Sequence, residues 1–258
     1  MKNFNSYKNV QYPTLHISVI SIFPEMFQSI TNYGVTGKAI KKKIINIHYW
    51  NPRDYCFNKH KKVDDKPYGG GYGMIMNMIP LYNAIQQAKI FFKNQAKVLY
   101  LSPQGKKLNN NNIIQLTKYS KLILVCGRYK GIDERLIHSE IDEEWSIGDY
   151  IVSGGELPAM ILIDALSRFI PGVLGTKKSA QEDSFYNGLL DHPQYTRPRN
   201  INGMQVPKIL LSGNHSDICN WKKQESLRAT WIKRPDLLKK IVLTEEQKKM
   251  LKTFKKKC

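Results

Sequence analysis

Two short apolar segments, each preceded by a helical one, constrain the fold of this 258-residue chain more than any other feature. Residues 80–93 carry apolar side chains at helical spacing and lead to the apolar residues 97–101. Residues 110–119 also have a helical pattern and lead to the apolar residues 121–126. Strands that are apolar on both faces lie in parallel sheets covered by helices, so this alternation predicts an α/β fold with a parallel sheet.

Three further segments extend this pattern. Residues 15–23 are rich in β-branched side chains and stop at Pro24, which predicts a buried strand followed by the start of a helix. Residues 44–50 alternate in polarity, as a strand with one exposed face does. Residues 156–170 form an almost wholly apolar helix whose charges after Glu156 are Asp164 and Arg168. We expect this helix to be covered on most sides, inside the domain or in a subunit interface.

The C-terminal third has a different composition. Residues 171–198 are polar and rich in Gly, Pro and Ser, which predicts a linker or a mobile loop. Residues 214–233 and 244–256 are predicted helices, and the second begins with a capping box from Thr244 to Gln247. We therefore predict a disordered extension at 1–14, a large domain at 15–172, a flexible linker at 173–190 and a small all-helical domain at 191–258.

The charge of the chain favours a polyanionic partner. The formal net charge is +19, from 40 Lys and Arg residues against 21 Asp and Glu residues. Runs such as the lysines at 41–43 and the asparagines at 109–112 are also typical of A/T-rich codon usage, which raises the lysine content without selection for binding. The charge therefore supports an RNA partner but does not identify one.

Cysteine and histidine usage argues against disulfide-rich and zinc-binding classes. The four cysteines, Cys56, Cys126, Cys219 and Cys258, form no CxxC pair, and the six histidines form no metal-binding cluster. No apolar run approaches the ~20 residues needed to span a bilayer. Residues 1–14 also lack the apolar centre of a signal peptide. We expect a cytoplasmic protein with no resident metal and no membrane partner.

Glycine-rich turns follow several of the predicted strands, at Gly127, Gly148 and Gly154-Gly155. None of them reads G-x-G-x-x-G, and Gly37-Lys38 is followed by Ala39, so neither a Rossmann fingerprint nor a P-loop is supported. Considered alone, these glycines indicate ordinary turns of an α/β domain.

The order of several longer strings is more informative. Ser102-Pro103-Gln104-Gly105 follows one strand, and Cys126-Gly127-Arg128-Tyr129 follows the next. The strings that continue this series are residues 23–27, 63–65, 67–71, 131–135, 143–150, 153–159, 182–185, 195–198 and 211–215. In these strings the chain closely resembles the bacterial tRNA (guanine-N1)-methyltransferases, the TrmD family of SPOUT methyltransferases. The resemblance extends from about residue 15 to the C-terminal helices.

The resemblance implies a fold and a methyl donor. SPOUT domains contain a parallel sheet whose C-terminal part forms a deep trefoil knot, and the knot binds S-adenosylmethionine in a bent shape at a homodimer interface. The residues that would bind this cofactor here are Tyr100, Leu101, Gly127, Ile147, Gly148, Asp149, Tyr150, Ile151, Val152, Gly154, Gly155 and Pro158.

The resemblance also implies methylation of N1 of the guanosine that follows the anticodon, at position 37 of tRNA. Guanine N1 is protonated at neutral pH, so the reaction needs a base near N1 and a cation near O6. Asp183 matches the base and Arg168 the cation, with Asp183 approaching from the second subunit. Without the resemblance, Asp183 would be interpreted as a solvated loop charge and Arg168 as a helix-end cation.

Lys130 departs from the family pattern. The family usually has an acidic residue after Gly-Arg-Tyr that is linked to magnesium dependence. Lys130 either replaces the charge of the metal, or the metal binds through phosphates and Asp183.

For tRNA contacts we predict basic residues of the second domain and its linker, namely Arg197, Arg199, Lys208, Lys222 and Lys223. We expect Trp221 and Trp231 to pack in the core of that domain rather than stack on bases. Two alternatives are a SPOUT methyltransferase acting on another RNA acceptor, such as a ribose 2′-OH, and a non-catalytic RNA-binding protein. We expect no DNA partner.

Overall fold

The computed structural model describes residues 14–257. They separate into two compact units, one ending at Lys177 and the other beginning at Lys178. The disorder predicted for residues 1–14 lies outside the described residues, apart from Thr14.

The first unit contains seven strands, six α-helices and two short 3₁₀ helices (Pro24–Phe27 and Pro52–Tyr55) among the described residues, and α7 begins at its end. The strands are β1 (Leu15–Ile20), β2 (Ile45–Trp50), β3 (Asp64–Asp65), β4 (Ile75–Met76), β5 (Lys97–Lys107), β6 (Lys121–Cys126) and β7 (Glu143–Ser146). The helices are α1 (Gln28–Thr31), α2 (Gly34–Lys41), α3 (Met78–Phe91), α4 (Asn110–Leu116), α5 (Glu134–Glu140), α6 (Glu156–Ser167) and α7 (Lys177–Glu182).

Five of these strands form the central sheet, in the order β2-β1-β6-β5-β7. Each neighbouring pair is parallel, which confirms the predicted α/β fold with a parallel sheet. Side chains of β6 alternate between two buried cores: Leu122 and Leu124 lie in one, and Ile123 and Val125 in the other. Helices α2, α4 and α6 cover the first face, whereas α3 and α5 cover the second. Burial on both faces explains why β6 is apolar from Leu122 to Cys126.

Two elements differ in extent from the prediction. β5 continues to Lys107 rather than ending near 101, because the chain forms an irregularity between Leu101 and Lys106 and then pairs with β7 again. α6 ends at Ser167 rather than Ile170, because the next amides bond three residues back, with Ile170 N donating to the Ser167 carbonyl.

The second unit contains α7 residues from Lys178 onward, a hairpin of β8 (Asn200–Ile201) and β9 (Met204–Gln205), and the helices α8 (His215–Lys233), α9 (Pro235–Leu238) and α10 (Glu245–Lys257). The prediction of an all-helical domain is therefore wrong in one detail, because Gly203 (φ +82°) lets four residues turn into a short hairpin. The linker predicted at 173–190 contains α7 and is divided between the two units.

Local packing in the second unit follows the sequence expectations in part. The Thr244 amide donates to Gln247 Oε1 at 2.9 Å, and the Gln247 amide donates to Thr244 Oγ1 at 3.2 Å, which confirms the capping box. Trp231 stacks on Phe254, and Trp221 contacts the ring of Tyr195. Both tryptophans thus contact rings of their own unit, but they are half-buried and do not lie in a fully buried core.

Across the described residues, no helix combines the length and the apolar character that crossing a bilayer requires.

Candidate active site

A cavity of about 360 Å³ opens at the carboxyl edge of the sheet, at the start of the irregular part of β5 after Leu101 and at the ends of β6 and β7. In parallel sheets the loops that follow the strands meet at this edge, where ligands commonly bind. The cavity lies between residues 100–104 of β5 and the turn after β6 on one side and the loop that joins β7 to α6 on the other.

The structure brings together eleven of the twelve residues predicted to bind the cofactor. Those that line the cavity are Tyr100, Leu101, Gly127, Ile147, Gly148, Tyr150, Ile151, Val152, Gly154, Gly155 and Pro158. Asp149 is the exception, because its side chain is 89% exposed and accepts a hydrogen bond from Lys107 Nζ at 2.7 Å. The geometry thus gathers the predicted residues around one space, while their role in binding a cofactor stays a prediction.

Tyr100 forms part of the cavity wall, and its hydroxyl is neutral in the physiological range. Burial and, to a smaller extent, the nearby carboxylate of Glu144 raise the pKa of Tyr100 to about 12. The neutral ring is packed so closely against Gly127 that a Cβ there would lie 2.8 Å from the Tyr100 hydroxyl oxygen. A side chain at position 127 would therefore displace the wall of the cavity.

The loop that leads into α6 returns to the end of β6. The Gly155 amide donates to the Gly127 carbonyl at 2.8 Å, and Gly154 forms a β-bridge with Arg128. A Cβ at Gly155 would lie 2.7 Å from the Cα of Cys126, so only glycine allows this approach of two backbones. The crossing holds two walls of the cavity together.

Further residues line the cavity that the sequence reasoning did not assign to it. They are Ser102, Pro103, Gln104, Arg128, Tyr129, Lys130, Gly131, Ile132, Glu134, Ile137, Glu144, Trp145, Ser146 and Ser153. Most belong to the motif strings 102–105, 126–129, 131–135 and 143–150. Assigning these whole strings to the cofactor site would therefore have predicted them. Ile137 lies on α5, a helix that was not predicted, and its sequence offers no comparable signal.

Lys130 lies at the cavity with its side chain over Gly73 of the glycine-rich loop 69–73, about 3.3 Å from the position of an added Cβ. Its amide donates to the Met74 carbonyl at 2.9 Å. Among the described residues, no group of three or more His, Cys, Asp and Glu side chains could hold a metal ion. The ammonium group of Lys130 repels a metal ion and cannot ligate it. These residues therefore do not fit a metal site made of protein ligands alone.

The two predicted catalytic residues lie in different units. Arg168 is half-buried and follows the last residue of α6 in the first unit. Asp183 is exposed and directly follows α7 in the second unit, where its carbonyl accepts a hydrogen bond from the Tyr186 amide. The next residue, Ser184, accepts a hydrogen bond from the Asp191 amide at 2.8 Å, so the turn after Asp183 is ordered within its unit.

The basic residues predicted to contact RNA all lie in the second unit. Arg197, Arg199, Lys208 and Lys223 are exposed, and Lys222 is half-buried on α8. Arg199 precedes the β8–β9 hairpin, and its carbonyl accepts a hydrogen bond from the Val206 amide. These cations are available to phosphates, and RNA binding by them stays a prediction.

Comparison with known proteins identifies the family. The sequence model of "tRNA (Guanine-1)-methyltransferase TrmD" matches residues 15–240. The chain is 59% identical over 239 residues to the tRNA (guanine-N(1)-)-methyltransferase of Histophilus somni (strain 2336), covering 93% of this chain and 98% of the relative. It is 60% identical over 240 residues to the protein of that name from Enterobacter sp. (strain 638), covering 93% and 94%. The protein of that name from Proteus mirabilis (strain HI4320) is 59% identical over 238 residues, covering 92% and 95%. On a family match over most of its length and on relatives of this identity, the chain belongs to the TrmD family of tRNA (guanine-1)-methyltransferases.

Proposed function

We propose that this chain transfers a methyl group from S-adenosylmethionine to N1 of the guanosine at position 37 of tRNA. The observation that carries the proposal is the cavity at the carboxyl edge of the sheet, which is lined by residues of the strings in which the chain resembles the family. A non-catalytic RNA-binding protein has no need for this cavity.

The cavity suits adenosylmethionine in size and in chemistry. Its lining combines apolar side chains such as Leu101 and Ile132 with the carboxylates of Glu134 and Glu144. Adenosylmethionine carries a sulfonium cation and an ammonium group, which carboxylates and backbone carbonyls stabilise. When bound, it supplies an electrophilic methyl group whose leaving group is a neutral thioether, so the protein has to align the acceptor with the methyl group and exclude water.

Asp183 and Arg168 are the groups that we assign to the acceptor. Asp183 accepts the N1 proton of guanine as general base, and N1 then attacks the methyl carbon as the carbon–sulfur bond breaks. Arg168 places its guanidinium near O6, where negative charge grows as the proton leaves. Exposure of Asp183 supports this role, because the base has to meet a substrate that arrives from solution.

We propose that the active protein is a homodimer in which Asp183 of one subunit approaches the cavity of the other. Support comes from α6, where Leu157 and Ile161 lie one turn apart and are 45% and 50% exposed. Ile151, in the loop before α6, is 81% exposed. Apolar side chains grouped in this way favour burial against a second copy.

We also propose that the loop and helix after β7 form the trefoil knot of SPOUT domains. The return of Gly154 and Gly155 to the end of β6 supports this path of the chain. An experimental structure with S-adenosylhomocysteine would test it, since a chain that does not thread between these segments would rule the knot out.

Lys130 bears on the role of magnesium. We propose that Lys130 supplies the positive charge that a metal supplies elsewhere in the family, and a requirement for magnesium by the wild-type enzyme at saturating tRNA would argue against this.

The cysteines support a cytoplasmic location. Cys56, Cys126 and Cys219 are free thiols, which fits a tRNA-modifying enzyme in the reducing cytoplasm.

Methyl transfer from labelled adenosylmethionine to unmodified tRNA tests the proposed function. We expect label in a tRNA with guanosine at position 37 and none when adenosine replaces it. Equal labelling of both would indicate another acceptor, such as a ribose hydroxyl, and no labelling of either would support a non-catalytic role.

A further inference from the structure

A charged side chain is buried directly behind the cavity. Glu156, the first residue of α6, has 0% of its side chain exposed. Its Oε1 accepts a hydrogen bond from Ser21 Oγ at 2.7 Å, and its Oε2 accepts one from Arg128 Nε at 2.8 Å. Both carboxylate oxygens therefore have partners, and the charge is paired with a guanidinium whose side chain is 16% exposed.

Arg128 connects this carboxylate to two other parts of the chain, the segment after β1 and the loop before α6. Its Nη1 donates to the Ser153 carbonyl at 3.3 Å, and its guanidinium carbon lies 4.7 Å from the centre of the Phe23 ring. Its backbone bridges to Gly154, where an added Cβ would clash with the guanidinium. Arg128 and Ser153 both line the cavity.

The three residues belong to segments that meet only through tertiary structure. Ser21 follows β1, Arg128 follows β6, and Glu156 begins α6 after the loop from β7. A carboxylate at the start of a 12-residue helix is favoured by the helix dipole, but that does not require burial or an arginine partner. Buried ion pairs add little net stability compared with apolar packing, so their value lies in fixing one arrangement of the groups they join.

We propose that Glu156 and Arg128, supported by Ser21, are positioning residues that hold loop 147–155 against the end of β6 and thereby set the affinity of the cavity for adenosylmethionine. This inference rests on the proposed function, because it explains how the methyl-donor site is kept in shape. Glu156 has no exposed surface, so it acts through Arg128 and the loop rather than by touching the donor.

The variant Glu156→Gln tests the proposal, since it keeps the side-chain volume and removes the charge that orders Arg128. Calorimetry with adenosylmethionine should show the Kd rising by about tenfold or more, which corresponds to about 1.4 kcal/mol. At saturating adenosylmethionine and tRNA, kcat should stay within about threefold of wild type, because the acceptor groups are untouched. Ser21→Ala, which removes one hydrogen bond, should raise the Kd by about two- to fivefold.

Glu140→Gln is the matched control. Glu140 is also largely buried and bonded to a polar and a cationic side chain, with Gln86 Nε2 at 2.6 Å and Lys89 Nζ at 2.7 Å, but it does not line the cavity. The variant Glu140→Gln should lower the melting temperature without changing the Kd for adenosylmethionine.

The possible outcomes separate the two hypotheses. Wild-type protein that does not bind adenosylmethionine would overturn the proposed function itself. Wild-type binding together with an unchanged Kd in Glu156→Gln would overturn the positioning role, as would tighter binding, which would indicate that Arg128 contacts the donor directly. If Glu156→Gln does not fold, Ser21→Ala decides, and a wild-type Kd in that variant counts against the proposal.

Discussion

Asp183 and the cavity residues differ in how the sequence reveals them. The resemblance to the family assigned the cavity residues, and parallel topology explains why they meet at one edge of the sheet. Asp183 is an exposed residue after a short helix, and no periodicity or spacing distinguishes it from other solvated carboxylates. Only the match of the string 182–185 to the family assigns it a role, and that role needs a test of its own.

Asp183→Asn keeps the shape of the side chain but cannot accept the N1 proton. We expect turnover to fall by ~10² or more while the Kd for adenosylmethionine stays close to wild type. Raising the pH toward the pKa of guanine N1 should partly restore the rate, because solvent then removes the proton. The control is Glu246→Gln, on an exposed residue of α10 in the same unit. It should leave both turnover and the Kd unchanged. Single-turnover rates equal to wild type at saturating tRNA would show that Asp183 only orders its loop.

Gly155 permits the close crossing of two backbones, and its replacement should be costly. In Gly155→Ala the new methyl group would meet the Cα of Cys126 at 2.7 Å, so the backbone must shift. We expect the free energy of unfolding, measured in urea without ligand, to fall by about 2 kcal/mol. Gly175→Ala has open space around the new Cβ and should be neutral or stabilising by up to about 1 kcal/mol. Equal stability of the two variants would argue against a close crossing at Gly155.

At the scale of elements, the sequence specified most of the central sheet. Lys121–Cys126 and the first residues of β5 are apolar because both faces are buried, which makes them recognisable without any relative. α2 was missed because it begins at Gly34 and contains Gly37, which disfavour a helix. The structure explains Gly37 by tertiary packing, since a Cβ there would lie 2.9 Å from the Thr31 carbonyl oxygen. The extension of β5 depends on its second pairing with β7, which local sequence does not encode.

The capping box of α10 gives an element-scale prediction. Thr244→Ala removes the hydroxyl that accepts from the Gln247 amide, so the start of the helix should lose about 1 kcal/mol. Hydrogen exchange of the α10 amides should accelerate accordingly. Thr253→Ala changes the same residue type inside the helix, where the hydroxyl only bonds back to the Lys249 carbonyl, and should leave exchange unchanged or slow it slightly. Equal exchange in both variants would show that the box contributes nothing.

At the scale of the whole molecule, the cavity and the proposed base lie in separate compact units. A composite site built from two subunits is one solution to this arrangement. Sheet topology and composition describe one chain, so this proposal rests on the family resemblance and on the exposed apolar side chains of α6.

Assembly is therefore testable in its own right. Light scattering of the wild-type protein should give twice the chain mass of 29.8 kDa at micromolar concentration. Ile161→Asp places a charge on the exposed face of α6 and should shift the protein toward monomer and lower its turnover. Lys248→Asp, on α10, is a control that should remain dimeric. A wild-type monomer with full activity would contradict the composite site.

The most direct measurement is the position of the methyl group in the product. Unmodified tRNA is incubated with the protein and adenosylmethionine, then digested and analysed by mass spectrometry. The account predicts 1-methylguanosine at position 37 with wild-type protein, and at least ~10²-fold slower formation of it with Asp183→Asn. A methyl group on a ribose, on another base or at another position would contradict it.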